Sequence, residues 1–162
     1  MDQLNRIINK IHTTESIQSK IAQWRFKNEK IVFSNGCFDI LHRGHIEYLA
    51  QAADFGVRLI IGLNSDASVR RLKGVNRPLQ DQVSRSVVLA ALTFVDAVIV
   101  FDEDTPYELI KSVKPDFLVK GNDYKAEDIV GYDIVKENGG DVVTIQLVDG
   151  YSTTSIVTRM EK

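Results

Sequence analysis

The chain has 162 residues, and its 44% hydrophobic and 26% charged side chains are typical of one soluble globular domain. Its net charge of −2 at pH 7 gives no sign of a basic face, so neither nucleic acid nor a membrane surface is expected as a partner. The single cysteine, Cys37, excludes an internal disulfide and a cysteine-based zinc site. With no secretory signal and no apolar run near the ~20 residues of a transmembrane helix, the sequence predicts a cytoplasmic protein.

Hydrophobic periodicity predicts a helical N-terminal extension followed by alternating strands and helices. Isoleucines at positions 7, 8 and 11 recur at helical spacing, so residues 1–28 are interpreted as helical and packed on a main domain of residues 29–162. The main domain contains five short, nearly all-apolar runs, each followed by a helical pattern. The predicted strands are 30–35, 57–64, 97–101, 117–121 and 141–148, and the predicted helices are 43–56, 81–95, 104–115, 126–140 and 152–162.

Five strand–helix units predict an α/β fold with a doubly wound, Rossmann-like parallel sheet covered by helices on both faces. Strands that are buried on both faces read as continuous apolar runs, and right-handed crossovers then wind the chain back onto the sheet. Ligands of such sheets bind beyond the carboxyl ends of the strands. The loops to search are therefore 34–45, 64–78, 101–105, 120–125 and 148–154.

Four of these loops carry groups suited to a phosphate ligand, and the third, 101–105, is mainly acidic. The first contains Gly36 and then His42 and His45, two of the chain's three histidines. If a helix begins near Arg43, both imidazoles flank its first turn, where free N–H groups and the helix dipole favour an anion. Cations in the second and fourth loops and hydroxyls in the fifth would meet at the same crevice. The sequence therefore predicts a polyphosphate site.

Two of these segments together carry a family resemblance. "GCFDILHRGH" at 36–45 and "STTSI" at 152–156 resemble the HxGH and Ser/Thr motifs of the cytidylyltransferase-like nucleotidyltransferase superfamily. More narrowly, "NSDASVRRLKG", "FDEDTP", "LVKGNDY" and "GYSTTSI" resemble the adenylyltransferase domain that makes ADP-heptose from ATP and D-glycero-β-D-manno-heptose 1-phosphate. In many family members that domain is fused to a sugar kinase, for which this chain has no room. The resemblance covers about residues 30–160, and Asn122 departs from it where glycine is expected.

The resemblance implies that a sugar-phosphate oxygen attacks the α-phosphorus of ATP and that pyrophosphate leaves, with Mg²⁺ entering alongside ATP. It makes His42 and His45 hydrogen-bond donors to the phosphates and gives Lys73 the task of stabilising the transferring phosphate. Asp39 would orient a histidine, bind Mg²⁺ or cap the turn. Family members often self-associate, so homo-oligomers are expected. The implied nucleotide-binding residues are Phe33, Asn35, Gly36, Cys37, Phe38, Asp39, Gly44, Asp66, Lys120, Gly121, Asp123, Ser152, Thr153, Thr154 and Ser155, with Arg77 and Arg85 as candidates for the substrate phosphate.

Other interpretations of the same residues stay open. Asp39, His42 and His45 could bind a metal, although paired helical ligands are usually spaced i,i+4 and the glutamate of HExxH is missing. A Ser/Thr run at a helix start is often only a cap. The phosphate machinery would equally serve a cytidylyltransferase acting on glycerol 3-phosphate or a similar alcohol phosphate. A catalytically silent nucleotide-binding module is a further alternative.

Overall fold

The chain forms a six-stranded sheet in which every strand pairs parallel to its neighbours. A computed structural model describes residues 2–123, 125–148 and 150–160. Five residues of the predicted segments 1–28 and 29–162 lie outside the described residues: Met1, Tyr124, Asp149, Glu161 and Lys162. The strands are β1 (Ile11–His12), β2 (Ile31–Gly36), β3 (Arg58–Asn64), β4 (Ala97–Phe101), β5 (Phe117–Gly121) and β6 (Asp141–Ile145).

Helices connect these strands and cover both faces of the sheet. The α/β, doubly wound Rossmann-like prediction is therefore confirmed. No helix in the described part of the chain is both long enough and apolar enough to cross a membrane. The helices are α1 (Gln3–Ile8), α2 (Gln18–Phe26), α3 (Arg43–Ala53), α4 (Asp66–Lys73), α5 (Gln82–Ala90), α6 (Tyr107–Val113), α7 (Tyr132–Glu137) and α8 (Thr153–Met160), with a 3-10 turn at Ala126–Asp128.

Strand residues alternate between two apolar cores, one on each face of the sheet. On β2, Phe33 joins the core built with α2, α6 and α7, whereas its neighbour Val32 joins the core built with α3 and α5. The strand order is β1-β4-β3-β2-β5-β6, so β2 and β5 lie side by side although β3 and β4 separate them in sequence. This switch point is where an open parallel sheet leaves a crevice at its carboxyl edge.

The N-terminal segment contributes the strand that the sequence analysis missed. Residues 1–28 form α1 and α2 as expected, but Ile11 and His12 between them pair with Val98 and Ile99 at the edge of the sheet. The prediction of a wholly helical extension and of five strands is wrong by this one strand. A two-residue strand has no periodicity of its own, and its partner lies more than 80 residues away. The domain boundary after residue 28 stays a prediction.

The segment predicted as a loop at 64–78 contains α4. Ser65 caps this helix by accepting a hydrogen bond from the backbone N–H of Ser68 at 3.0 Å, and Gly74, with φ +96°, ends it. The pattern was missed because "DASVRRLK" is mostly polar and buries little beyond Val69. Lys73 therefore lies in the last turn of a helix rather than in a loop.

Candidate active site

Two adjoining clefts open at the carboxyl edge of the sheet, around the ends of β2 and β5. We call the cleft of about 440 Å³ the first cleft and its neighbour of about 520 Å³ the second cleft. They share one wall, formed by Asn35, Gly36, Cys37, Phe38, His45, Lys73, Lys120, Thr153 and Thr154. Predicted residues on the first cleft alone are His42, Gly44, Gly121, Asp123 and Ser152, and those on the second alone are Asp39 and Arg77.

The paired histidines meet at the start of α3. His42 is the N-cap in an extended conformation, and its carbonyl accepts hydrogen bonds from the backbone N–H groups of His45 at 2.9 Å and Ile46 at 3.2 Å. The two rings stack with their centroids 3.8 Å apart. A Cβ added to Gly44 would lie 3.1 Å from the His42 ring and from Tyr151 Cβ, so only glycine leaves the imidazole undisturbed. The predicted helix start at Arg43 and the shared orientation of both imidazoles are confirmed.

Burial favours the neutral form of both imidazoles. Burial, reinforced by the neighbouring His42, lowers the pKa of His45 to about 4, and burial also lowers the pKa of His42. Each neutral ring retains one N–H group. The Nδ1 atoms of both rings are buried and have no hydrogen-bond partner in the described part of the chain. The Ile40 carbonyl also interacts with the His45 ring. Both imidazoles line the first cleft, where an incoming ligand can contact them.

The carboxylate of Asp39 binds residues of the 77–80 segment rather than a histidine. This buried carboxylate accepts a hydrogen bond from Arg77 Nη1 at 2.8 Å through Oδ2. Its Oδ1 accepts from the backbone N–H groups of Leu79 at 2.8 Å and Gln80 at 3.1 Å. Asp39 thus anchors the 77–80 segment and holds Arg77 at the wall of the second cleft.

Arg85 is a buried scaffold residue and lines neither cleft. Its side chain is 0% exposed, and it donates to the carbonyl oxygens of Gln80 at 3.0 Å, Cys37 at 2.6 Å and Asn64 at 2.9 Å. It also donates to Asp66 Oδ1 at 2.7 Å. The guanidinium therefore ties together the ends of β2 and β3 and the start of α4. The sequence made Arg85 a candidate for the substrate phosphate and placed Asp66 at the nucleotide, whereas in the structure the two side chains pair with each other and line neither cleft.

Two further predicted residues, Phe33 and Ser155, line neither cleft. The ring of Phe33 is fully buried beneath Gly62, where an added Cβ would lie 2.8 Å from Phe33 Cζ. Ser152 caps α8, because its Oγ accepts a hydrogen bond from the backbone N–H of Ser155 at 3.0 Å, and Ser155 Oγ donates back to the Ser152 carbonyl at 2.8 Å. Thr153 and Thr154, in contrast, line both clefts at the start of this helix, where the first backbone N–H groups lack helical partners.

Two lysines bring positive charge to the wall that the clefts share. Burial lowers the pKa of Lys120 to about 8, and its Nζ donates to the Asn35 carbonyl at 3.3 Å. Lys73 lies on an exposed turn of α4 and makes no hydrogen bond or ion pair with the described residues. The backbone of Asn122 does not have a positive φ, so this position does not require glycine. Asn122 Oδ1 accepts a hydrogen bond from the backbone N–H of Leu147 at 3.5 Å.

Several lining residues were missed by the sequence analysis. Tyr48 donates to the Val119 carbonyl at 2.9 Å and lies 2.7 Å from Ser34 Oγ, and burial raises its pKa to about 12. Its helical spacing, three residues after His45, was the available signal. The others lie in or beside loops that the sequence selected but were not singled out as residues; they are Leu147, Val148 and Tyr151 on the first cleft and Leu72 and Asp104 on the second.

The described residues contain no group of three or more His, Cys, Asp or Glu side chains that could hold a metal ion. The metal interpretation of Asp39, His42 and His45 finds no support in the geometry, because Asp39 is bound to Arg77 and two backbone N–H groups.

Comparison with known proteins gives matches over most of the chain. The Cytidylyltransferase-like family model matches residues 33–159. The bifunctional protein HldE of Campylobacter curvus is 56% identical over 94% of this chain, and that of a Nitratiruptor species is 58% identical over 83%. These alignments cover 31% and 28% of the relatives, so the chain spans less than a third of their length.

The fold of the chain is also similar to those of solved structures. The lipopolysaccharide core biosynthesis protein from Thermoplasma volcanium GSS1 is 31% identical with a TM-score of 0.64, over 75% of this chain and 99% of that one. Pantoate-beta-alanine ligase from Francisella tularensis, solved with beta-gamma ATP and beta-alanine, has a TM-score of 0.59 at 15% identity, over 93% of this chain and 76% of that one. The second likeness concerns the fold alone.

Proposed function

The chain belongs to the Cytidylyltransferase-like family, and from this premise we propose that it transfers the AMP moiety of ATP to D-glycero-β-D-manno-heptose 1-phosphate. The products are ADP-heptose and pyrophosphate. The observation that carries the proposal is the wall shared by the two clefts, because it lets two substrates meet beside His45 and Lys73. The choice of ATP and heptose rests on the resemblance of "LVKGNDY" and "GYSTTSI". Relatives named HldE and a relative described as a lipopolysaccharide core biosynthesis protein support a role in making a lipopolysaccharide-type glycan.

The proposed reaction needs charge stabilisation rather than a general base. A phosphate oxygen of the sugar 1-phosphate, already an anion near neutral pH, forms a bond to the α-phosphorus of ATP. The bond from that phosphorus to the oxygen bridging to the β-phosphorus breaks, and pyrophosphate leaves with the electron pair. No proton has to move. The protein must hold the reactants in line and stabilise the charge on the phosphates.

The chain's own residues suit that task. Neutral His42 and His45 can each donate an N–H to phosphate oxygens in the first cleft. The starts of α3 and α8 offer backbone N–H groups to the same anion. Lys73 and Lys120, on the shared wall, would balance charge on the transferring phosphate, and binding a polyphosphate should raise the lowered pKa of Lys120. Mg²⁺ would arrive as part of the ATP substrate, carried by its phosphates.

A substrate screen tests this proposal. ATP, CTP and GTP are each combined with heptose 1-phosphate, other sugar 1-phosphates and glycerol 3-phosphate, and pyrophosphate release is measured. We expect release with ATP and the heptose 1-phosphate, and its loss in a His42→Ala, His45→Ala double variant that still folds. A preference for CTP with glycerol 3-phosphate would replace the proposal with the cytidylyltransferase alternative. Absence of release with every pair would favour a silent nucleotide-binding module.

We place this reaction in the cytoplasm, where ATP is available and the lone Cys37 would stay reduced. The self-association implied by the family resemblance stays a prediction, to be tested by light scattering.

A further inference from the structure

The second cleft contains a carboxylate that the proposed reaction does not use. Two acidic residues line this cleft, and Asp39 is already committed to Arg77 and two backbone N–H groups. The other is Asp104, which lies in the acidic loop after β4. Its side chain is 67% exposed, and only its Oδ1 has a partner among the described residues, Arg71 Nε at 2.8 Å. One oxygen of Asp104 is therefore free to accept hydrogen bonds from a ligand.

Arg71 fixes the position of this carboxylate. The guanidinium donates to Asp104 and to the carbonyl oxygen of Asp102, so it connects α4 with the loop after β4. The residues that follow Arg71 in α4, Leu72 and Lys73, line the same cleft. An exposed ion pair of this kind contributes little to stability. Its clear structural effect is to hold a carboxylate beside the cationic last turn of α4, at the wall of the second cleft.

The second cleft is lined by both cationic and anionic side chains. Lys73 and Arg77 suit a phosphate, and in the described part of the chain Arg77 uses its guanidinium only for Asp39. A carboxylate would repel that phosphate, but it is a strong acceptor for hydroxyl groups. The volume of about 520 Å³ lies within the range of small-molecule sites and leaves space beyond a phosphate.

We propose that Asp104, positioned by Arg71, is a specificity-determining residue that accepts hydrogen bonds from the ring hydroxyls of the acceptor sugar. Lys73 and Arg77 bind the phosphate of the same molecule. This assignment deepens the proposed transfer to a sugar 1-phosphate and rests on it. A polyhydroxylated acceptor gains from Asp104, whereas a phosphate without hydroxyl groups is only repelled by it.

The test is calorimetric binding to the full chain, in the presence of a non-reactive α,β-methylene analogue of ATP. The two probes are heptose 1-phosphate and inorganic phosphate. Asp104→Ala should weaken binding of the sugar phosphate roughly ten- to hundredfold, the range for losing a hydrogen bond to a charged group. The same variant should bind inorganic phosphate equally well or more tightly. Asp104→Asn should lie between wild type and alanine, because its amide oxygen still accepts a hydrogen bond.

Glu103→Ala is the matched control, because it removes the same charge from the neighbouring position and lines neither cleft. It should bind both probes as the wild type does. Unchanged sugar-phosphate binding in Asp104→Ala would overturn the assignment, and so would a parallel change for both probes. Binding is read without turnover. A wild-type chain that binds the sugar phosphate through Asp104 but releases no pyrophosphate would refute the proposed reaction and leave this assignment standing.

Discussion

Replacing Arg85 by methionine should destabilise the protein far more than it weakens substrate binding. Methionine preserves much of the buried volume but removes the charge and every donor. In the wild type the fully buried guanidinium donates hydrogen bonds to the carboxylate of Asp66 and to three carbonyl oxygens, those of Gln80, Cys37 and Asn64. All four acceptors would lose a partner at once, and Asp66 would lose its ion pair.

The size of the effect follows from that geometry. Removing one partner of a buried ion pair costs about 3–5 kcal/mol, because the other charge and its polar neighbours stay without compensation. For a domain of this length, about 1 kcal/mol shifts Tm by roughly 2–4 °C, so the Tm of Arg85→Met should fall by roughly 6–20 °C. Arg85→Lys should lose less, since it keeps the charge, although three ammonium protons cannot serve four separate acceptors.

Thermal unfolding followed by circular dichroism measures this change, and acceptor kinetics are taken well below the transition. Arg70→Met is the matched control, because Arg70 is exposed on α4 and its loss should change stability by less than about 0.5 kcal/mol. An Arg85→Met variant that melts like the wild type but has a raised KM for the acceptor would refute the scaffold role. It would return Arg85 to the phosphate-binding role suggested by the sequence.

Four further predictions concern the shared wall and the residues around it. His45→Ala should lower kcat by roughly 10²–10³ while Tm is retained, the range for losing one charge-stabilising donor, and wild-type turnover would exclude the role. The pKa of His45 is lowered to about 4 in the folded protein, whereas an unfolded histidine has a pKa of about 6.5. As pH falls below about 6.5, the His45 ring is therefore protonated in the unfolded chain first, and the ligand-free protein should lose up to about 2 kcal/mol of stability by pH 5. Urea unfolding at neutral pH and at pH 5 measures this loss of stability. His45→Gln should remove the part that His45 causes, and an equal loss in the variant would contradict the prediction. Thr153→Ala and Thr154→Ala should raise the KM for ATP in folded proteins, and normal kinetics in both would exclude this turn from the site. Lys73→Ala should lower kcat/KM for the acceptor without changing Tm, whereas an unchanged value would make it a surface charge.

The sequence by itself determined the main strands and most of the loops that line the two clefts. Apolar runs such as that of β2 report burial on both faces, and this is a local property of the chain. The paired histidines were also readable, because a helix start and a three-residue spacing together fix where His42 and His45 lie. Once the strands are parallel, their carboxyl ends lie at one edge, so the loops that follow them must converge.

Only the tertiary structure decided which polar residues of those loops face the clefts. Arg85 and Arg77 look alike in sequence, but one is enclosed by acceptors 5 to 48 positions away and the other stands at a wall. Asp39 and Asp104 both line the second cleft, but Asp39 is buried and bound through both oxygens, whereas Asp104 is exposed and bound through one. Strand β1 and the lining residue Tyr151 likewise depend on distant partners. Burial and hydrogen bonding of a side chain arise from segments that meet only after folding, and no local pattern in the chain records them.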